Sequence, residues 1–222
     1  MDCLNRISSP ALWSSLETAD LNGTVAAAEP EERAIEATEE RLDQMATAFA
    51  WVIDAKSSFT FEHSDRVSSL ALGAAGRLGF TPTELTRLRR AALLHDIGKL
   101  AVPNAILDKP GTLTGAEWTV VKQHPAHTLH VLQQVPVFRD LAEDAANHHE
   151  RVDGKGYFRG LTGDRMTPAA KVLAVADVCD ALMSERPYRG PLPVDQVVHL
   201  LEEGRGTQFW PEAVDAMAVS LR

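Results

Sequence analysis

The chain is predicted to be all-α. Three observations carry that prediction. Apolar residues recur at helical rather than alternating spacing. Helix-start signals punctuate the sequence at intervals. Aromatic residues make up only 6% of the chain, Ala and Leu are abundant, and runs of Val or Ile stay short. With 222 residues and 45% hydrophobic content, one domain with a small appendage can bury a sizeable core.

Residues 1–29 lack sustained periodicity and read as a loosely ordered tail, with Leu12, Trp13 and Leu16 suited to one short helix. The domain is expected to occupy residues 30–222. Pro30 opens its first helix, with Glu31 and Glu32 in the first turn, and Ile35, Leu42, Met45, Phe49, Val52 and Ile53 continue it to about Lys56. A second helix runs from Ser64 to Leu78 and stops at Gly79. Thr81-Pro82-Thr83-Glu84 is a capping-box start for a helix reaching toward His95, and Thr114-Gly115-Ala116-Glu117 is another, leading toward His124. Pro103 and Pro110-Gly111 bracket a loop between them. Leu129–Gln134 and Phe138–Glu150 read as helices. Asp153–Asp164 holds Gly154, Gly156, Gly160 and Gly163 and reads as a loop. Pro168 begins a strongly apolar helix to Met183, followed by Val194–Glu203 and Pro211–Ser220.

Lys and Arg number 22 against 31 Asp and Glu, a formal charge of −9. That balance argues against a DNA or RNA polymer, or an anionic membrane surface, as the main partner. It leaves a phosphate-bearing ligand open, because a bound cation reverses the local field. Cys3 and Cys179 are far apart and in no CxxC pattern, which fits free thiols. With neither a signal-peptide pattern nor an apolar stretch of about 18 residues, the expected location is cytoplasmic.

The chemistry concentrates in histidines and carboxylates. His95 and Asp96 are adjacent at the end of an apolar helical run, with Gly98 and Lys99 next. An imidazole and a carboxylate from one turn can both bind a divalent metal, and the carboxylate can bridge two. His63, His124 and the pair His148-His149 lie beside other candidate ligands or at helix ends. Burying so many imidazoles without a cation leaves polar groups hard to satisfy. Nitrogen and carboxylate donors without thiolate suit iron, manganese, zinc, nickel or cobalt. His127, His130 and His199 are expected to lie outside the cluster, and Asp65 and Arg66 to form ion pairs or brace a helix.

His95-Asp96-Ile97-Gly98-Lys99 followed by His148-His149-Glu150-Arg151-Val152-Asp153-Gly154-Lys155-Gly156-Tyr157 resembles the HD-GYP family, a branch of the HD-domain metal-dependent phosphohydrolases. His63-Ser64-Asp65-Arg66-Val67, His124-Pro125, Val175–Leu182 and Arg186-Pro187-Tyr188-Arg189 extend the resemblance in order over roughly Ala50 to Met217. It implies an HD-type helical bundle with the Gly-rich loop beside a binuclear metal site. The implied activity is hydrolysis of cyclic di-GMP to pGpG and then GMP. By the same resemblance His63, His95, Asp96 and Asp177 hold one metal, and Asp96 bridges to a second held by His124, His148 and His149. Lys99, Arg186 and Arg189 meet substrate phosphates, and Tyr157 lies beside the substrate. Iron or manganese is favoured, with zinc, nickel, cobalt and magnesium also compatible. The chemistry suits such a site, because a metal lowers the pKa of bound water from 15.7 to about 7 and two metals about 3.5–4 Å apart neutralise charge on phosphate oxygens.

Four positions depart from the family pattern. Phe158 replaces the proline of Gly-Tyr-Pro, which should loosen the loop. Thr128 stands where glycine is usual, at a close helix approach. Trp210 replaces an aspartate before Pro211. Phe59 replaces the glutamate with which some members bind a third metal, and Glu62 is offset from that place, so two ions are expected. Two further readings stand beside cyclic di-GMP hydrolysis. One is a degenerate module that binds nucleotide or a signalling partner without turnover. The other is a phosphodiesterase for another cyclic dinucleotide such as cyclic GMP-AMP. The first helix is equally suited to homodimerisation and to packing on its own domain.

Overall fold

The computed structural model describes residues 37–56, 62–185 and 190–222. The expected tail, the start of the first helix at Pro30, Phe59, Arg186 and Arg189 therefore lie outside the described residues. Among the described residues there is no strand, only isolated bridges at Asp153–Thr162 and Arg205–Phe209. The described residues form ten α-helices: α1 (Glu39–Asp54), α2 (His63–Arg77), α3 (Pro82–Leu94), α4 (Asn104–Leu107), α5 (Gly115–Val121), α6 (His124–Gln134), α7 (Ala142–Ala146), α8 (Pro168–Met183), α9 (Val194–Glu203) and α10 (Pro211–Ser220).

Both predicted capping boxes form. Thr81 accepts from the Glu84 amide while the Glu84 carboxylate returns to the Thr81 amide, and Thr114 and Glu117 do the same at α5. Each satisfies two of the donors that a helix start leaves orphaned. Thr167 caps α8 through the Ala170 amide, and its hydroxyl also donates to Asp144 at 2.6 Å, tying α8 to α7. Gly79 follows α2 at φ 79°, the left-handed conformation that stops a helix.

The core is built on α2, α3 and α8. Ala71, Ala74 and Ala75 of α2, Leu88, Ala91 and Leu94 of α3, and Val172, Leu173, Val175 and Ala176 of α8 belong to one buried cluster. The alanines let helix backbones approach closely. The same closeness recurs where the turn after α3 meets α6. A Cβ on Gly98 would lie 2.0 Å from the His124 carbonyl oxygen and 2.6 Å from the Thr128 amide nitrogen.

Two segments differ from expectation. The helix containing Leu129 begins five residues earlier, at His124, because Pro125 fits a first turn. The predicted continuous helix over Phe138–Glu150 is instead a 3₁₀ turn, Pro136–Leu141, followed by the short α7, which ends at Ala146 with Asn147 as its C-cap. On a continuous helix His148 and His149 would diverge by about 100°. Here the chain leaves the helix just before them.

Gly98→Ala should destabilise the fold by about 3 kcal/mol, because the atoms met are backbone and cannot swing aside. Thermal unfolding checks this, with an expected fall in Tm of roughly 6–12 °C.

Candidate metal centre

Each sequence-predicted ligand sits at the edge of a helix or projects from the central one. His63 is the first residue of α2, His95 follows α3, His124 opens α6, and His148 and His149 follow α7, while Asp177 lies within α8. The structure brings all seven together. His63, His95, Asp96, His124, His148 and Asp177 are buried, and His149 is partly exposed.

One local device orients three of the imidazoles. Nδ1 of His95 bonds the Ala92 carbonyl at 2.7 Å, that of His124 the Val121 carbonyl at 2.7 Å, and that of His148 the Ala145 carbonyl at 2.6 Å. A carbonyl only accepts, so each Nδ1 carries the proton and each Nε2 points its lone pair inward. His63 is oriented differently, through Nδ1 at 2.7 Å from Asp180 Oδ2, which also leaves Nε2 facing inward. Arg66 holds the other side of Asp180, with Nε at 2.6 Å from Oδ1, and Ser184 meets Oδ2 at 3.2 Å. The ion pair expected of Arg66 forms, with Asp180 as its partner, and it braces the carboxylate that orients His63.

Asp96 lies between two sets of imidazoles. Its Oδ2 is 3.7 Å from His63 Nε2 and 3.4 Å from His95 Nε2, whereas Oδ1 is 3.3 Å from His124 Nε2 and 3.8 Å from His148 Nε2. Asp177 spans the same gap, with Oδ1 3.5 Å from His63 Nε2 and Oδ2 3.9 Å from His149 Nδ1. Three overlapping groups have geometry able to hold an ion: His63, His95 and Asp177; His95, Asp96 and His148; and His124, His148 and His149.

The fit to cations rests on groups that protein atoms leave unsatisfied. His95 Nε2 and Asp96 Oδ1 are buried without a hydrogen-bond partner. His124 Nε2 and His148 Nε2 lie 3.2 Å apart although both Nδ1 atoms face carbonyls, so two lone pairs confront each other. Orphaned acceptors in a dry site cost free energy, and an electron-pair acceptor between them removes the cost.

Electrostatics divides the cluster. Burial lowers His124 to about 4 and His149 to about 3, and holds His148 well below its ordinary value. These rings are neutral at physiological pH. Burial also opposes charge on His63, but hydrogen bonds with Asp177 and Asp180 raise it to about 9. Asp96 stays ionised well below the usual carboxylate range despite burial, chiefly because of Lys99, whose Nζ is 2.5 Å from Oδ2.

The Gly-rich loop packs against this cluster. The Tyr157 ring lies 4.7 Å from His149 at 34°, with Lys122 Nζ 5.5 Å from the ring centroid. Burial pushes the Tyr157 phenol upward, so it stays protonated. Buried Glu150 organises the loop, accepting from the backbone amides of Arg159 and of Leu161, the latter at 2.9 Å. Gly156 is required there, because a Cβ would lie 2.4 Å from Glu150 Oε2. The loosening expected from Phe158 meets a second restraint. The Arg159 guanidinium stacks on the Phe158 ring at 5.1 Å while bonding Glu143 and Asn147 on and after α7. Asp180, Glu150 and Lys122 are the participants sequence reasoning passed over. The i, i+3 spacing of Asp177 and Asp180 is the one signal that pointed to any of them. His127, His130 and His199 stand apart, partly or fully exposed.

A sequence model of the HD domain matches residues 47–212. The chain belongs to the HD-domain family. Within that family its motifs and relatives place it in the HD-GYP branch. It is 40% identical to 3'3'-cGAMP-specific phosphodiesterase 3 of Vibrio cholerae over 97% of this chain and 47% of that protein. It is 39% identical to the cyclic di-GMP phosphodiesterase of Thermotoga maritima over 71% of this chain and 43% of that protein. This HD domain thus spans less than half the length of either relative. Among solved structures, a Vibrio cholerae cyclic GMP-AMP phosphodiesterase matches with TM-score 0.60 and 36% identity, covering 98% of this chain and 50% of that one. Bd1817 of Bdellovibrio bacteriovorus, an HD-GYP-type protein, matches with TM-score 0.63 at 19% identity over 82% of this chain and 64% of that one, a likeness of fold.

Glu150→Ala should leave one buried and one partly buried amide unsatisfied and cost about 2–3 kcal/mol, with new protease cleavage within residues 153–164. Arg159→Ala, at an exposed pair, should cost under about 1 kcal/mol. Thermal unfolding with limited proteolysis distinguishes the two, and equal effects would contradict the assignment of Glu150 as the main anchor.

Proposed function

We propose that this HD domain is a metal-dependent phosphodiesterase acting on cyclic dinucleotides, with cyclic di-GMP as substrate. The observation that carries the reading is the Asp96 carboxylate, which offers one oxygen to His63 and His95 and the other to His124 and His148. His63, His95 and Asp177 would hold one divalent ion and His124, His148 and His149 a second, with Asp96 shared. Iron or manganese suits these nitrogen and oxygen donors best. Bound there, the ions supply Lewis acidity toward a phosphoryl oxygen and toward water.

The protein groups around them have separate tasks. Asp180 and the three backbone carbonyls orient four of the five imidazoles, those of His63, His95, His124 and His148, so that Nε2 faces inward. Lys99 balances the buried charge of Asp96 and places a cation beside an incoming phosphodiester. Tyr157, stacked on His149, presents a ring edge and a neutral phenol to the nucleotide. Arg186 and Arg189 are proposed as further phosphate contacts. A count of two ions is supported by Asp180, whose oxygens are already engaged by His63, Arg66 and Ser184.

Cyclic GMP-AMP is a second candidate substrate, favoured by the relative aligned over 97% of the chain. A module that binds without turnover is disfavoured, because all seven ligand positions hold competent side chains in reach of one another. A second copy or a signalling protein remains the proposed class of macromolecular partner. No helix among the described residues is long and apolar enough to cross a membrane.

Purified protein loaded with Mn²⁺ or Fe²⁺ should cleave cyclic di-GMP, followed by chromatography beside cyclic GMP-AMP. Removing outer partners of metal ligands costs about 10–100-fold, so Asp96→Asn should lower turnover by at least about 100-fold. Cleavage of cyclic GMP-AMP alone would transfer the assignment to that substrate. Nucleotide binding without turnover in metal-replete protein, or three ions per chain, would overturn the corresponding part of the reading.

A further inference from the structure

We propose that Thr128 is a positioning residue that sets the separation between the two halves of the metal centre. This rests on the reading of the cluster as a two-ion site. Thr128 is fully buried on α6, one helical turn beyond His124. Its hydroxyl accepts from the Gly98 amide at 3.0 Å and donates to the His95 carbonyl at 2.9 Å. Those two groups bracket Asp96. A single side chain thus fastens the turn carrying His95 and Asp96 to the helix carrying His124.

The link is short and stiff. Threonine's β-branch restricts its rotamers, and the hydroxyl uses its donor and one acceptor together. The missing Cβ of Gly98 lets the turn lie directly on the α6 backbone, where the His124 carbonyl and the Thr128 amide occupy the space a side chain would need. The His95 carbonyl lies at the end of α3, where helical partners run out, so the hydroxyl also satisfies a group that would otherwise be orphaned. Asp96 Oδ1 lies 3.3 Å from His124 Nε2, on the side of the carboxylate that the brace controls. Releasing the brace lets the turn slide along α6, and the carboxylate no longer reaches both sets of imidazoles at once. Lys99 and the Nδ1–carbonyl bonds orient individual groups, whereas Thr128 fixes one half against the other.

Chelator-treated wild-type protein, Thr128→Val and Thr128→Ser would be titrated with Mn²⁺ by calorimetry. The doubly loaded forms would be compared by electron paramagnetic resonance, and metal-free stability followed by thermal unfolding. Valine matches threonine in shape but lacks the hydroxyl. The expected result is about 10-fold weaker uptake of the second ion by Thr128→Val and loss of the spin-coupled signal of a bridged pair. Thr128→Ser, which keeps the hydroxyl, should stay within about two-fold of wild type and retain that signal. Wild-type affinity and coupling in Thr128→Val would overturn the proposal, as would a serine variant impaired as much as valine. If Thr128→Val does not fold, Thr128→Ala takes its place with the same expected loss. Wild-type protein that takes up no Mn²⁺ would overturn the two-ion reading itself, a result distinct from an unaffected variant.

Discussion

A carboxylate buried among four imidazoles is the constraint on which the rest of this structure depends. Asp96 is only 2% exposed. Placing an anion there is costly unless it is met on every side by compensating groups. Lys99 meets part of that demand and remains with Oδ2, leaving Oδ1 without a hydrogen-bond partner. The protein atoms therefore form an incomplete polar network in an otherwise closed core. Each orphaned acceptor costs free energy in such a core, and the inward lone pairs of His95, His124 and His148 suit a cation that would remove that cost.

This demand explains the helix boundaries. Four histidines cannot converge on one carboxylate from the interior of one or two long helices, since successive side chains rotate by about 100°. They are supplied instead from helix starts at His63 and His124 and from turns at His95 and His148. The interruptions at Gly98 and Asn147 follow from the site rather than from weak helix propensity. Helix α8 is the exception, contributing Asp177 from its middle, and it does so as the apolar element around which the others pack.

The sequence disclosed what is local. Thr81, Thr114 and Pro168 were legible as helix starts because the groups that satisfy one another lie within three or four residues. The seven candidate ligands were legible because their residue types and order are distinctive. The end of α7 was not, because the apolar pattern from Phe138 runs on through Ala146 and only the tertiary arrangement of His148 and His149 breaks it. Nor was the role of Asp180, whose partner His63 lies 117 residues away, or that of Glu150, which acts on amides nine and eleven residues later. Among the glycines, composition marked a loop but could not separate Gly156, hemmed in by Glu150, from Gly160, where a Cβ would meet nothing nearer than 3.3 Å.

The carbonyl partners of His95, His124 and His148 have an evolutionary consequence. Ala92, Val121 and Ala145 contribute only main-chain oxygen, which every residue type possesses. Ring orientation at those three ligands is therefore insulated from side-chain drift at the supporting positions. His63 has no such insulation, because it depends on a carboxylate that in turn depends on Arg66. Divergent descendants of this domain would thus lose ligand geometry first at His63, while the orientation of His95, His124 and His148 would outlast it.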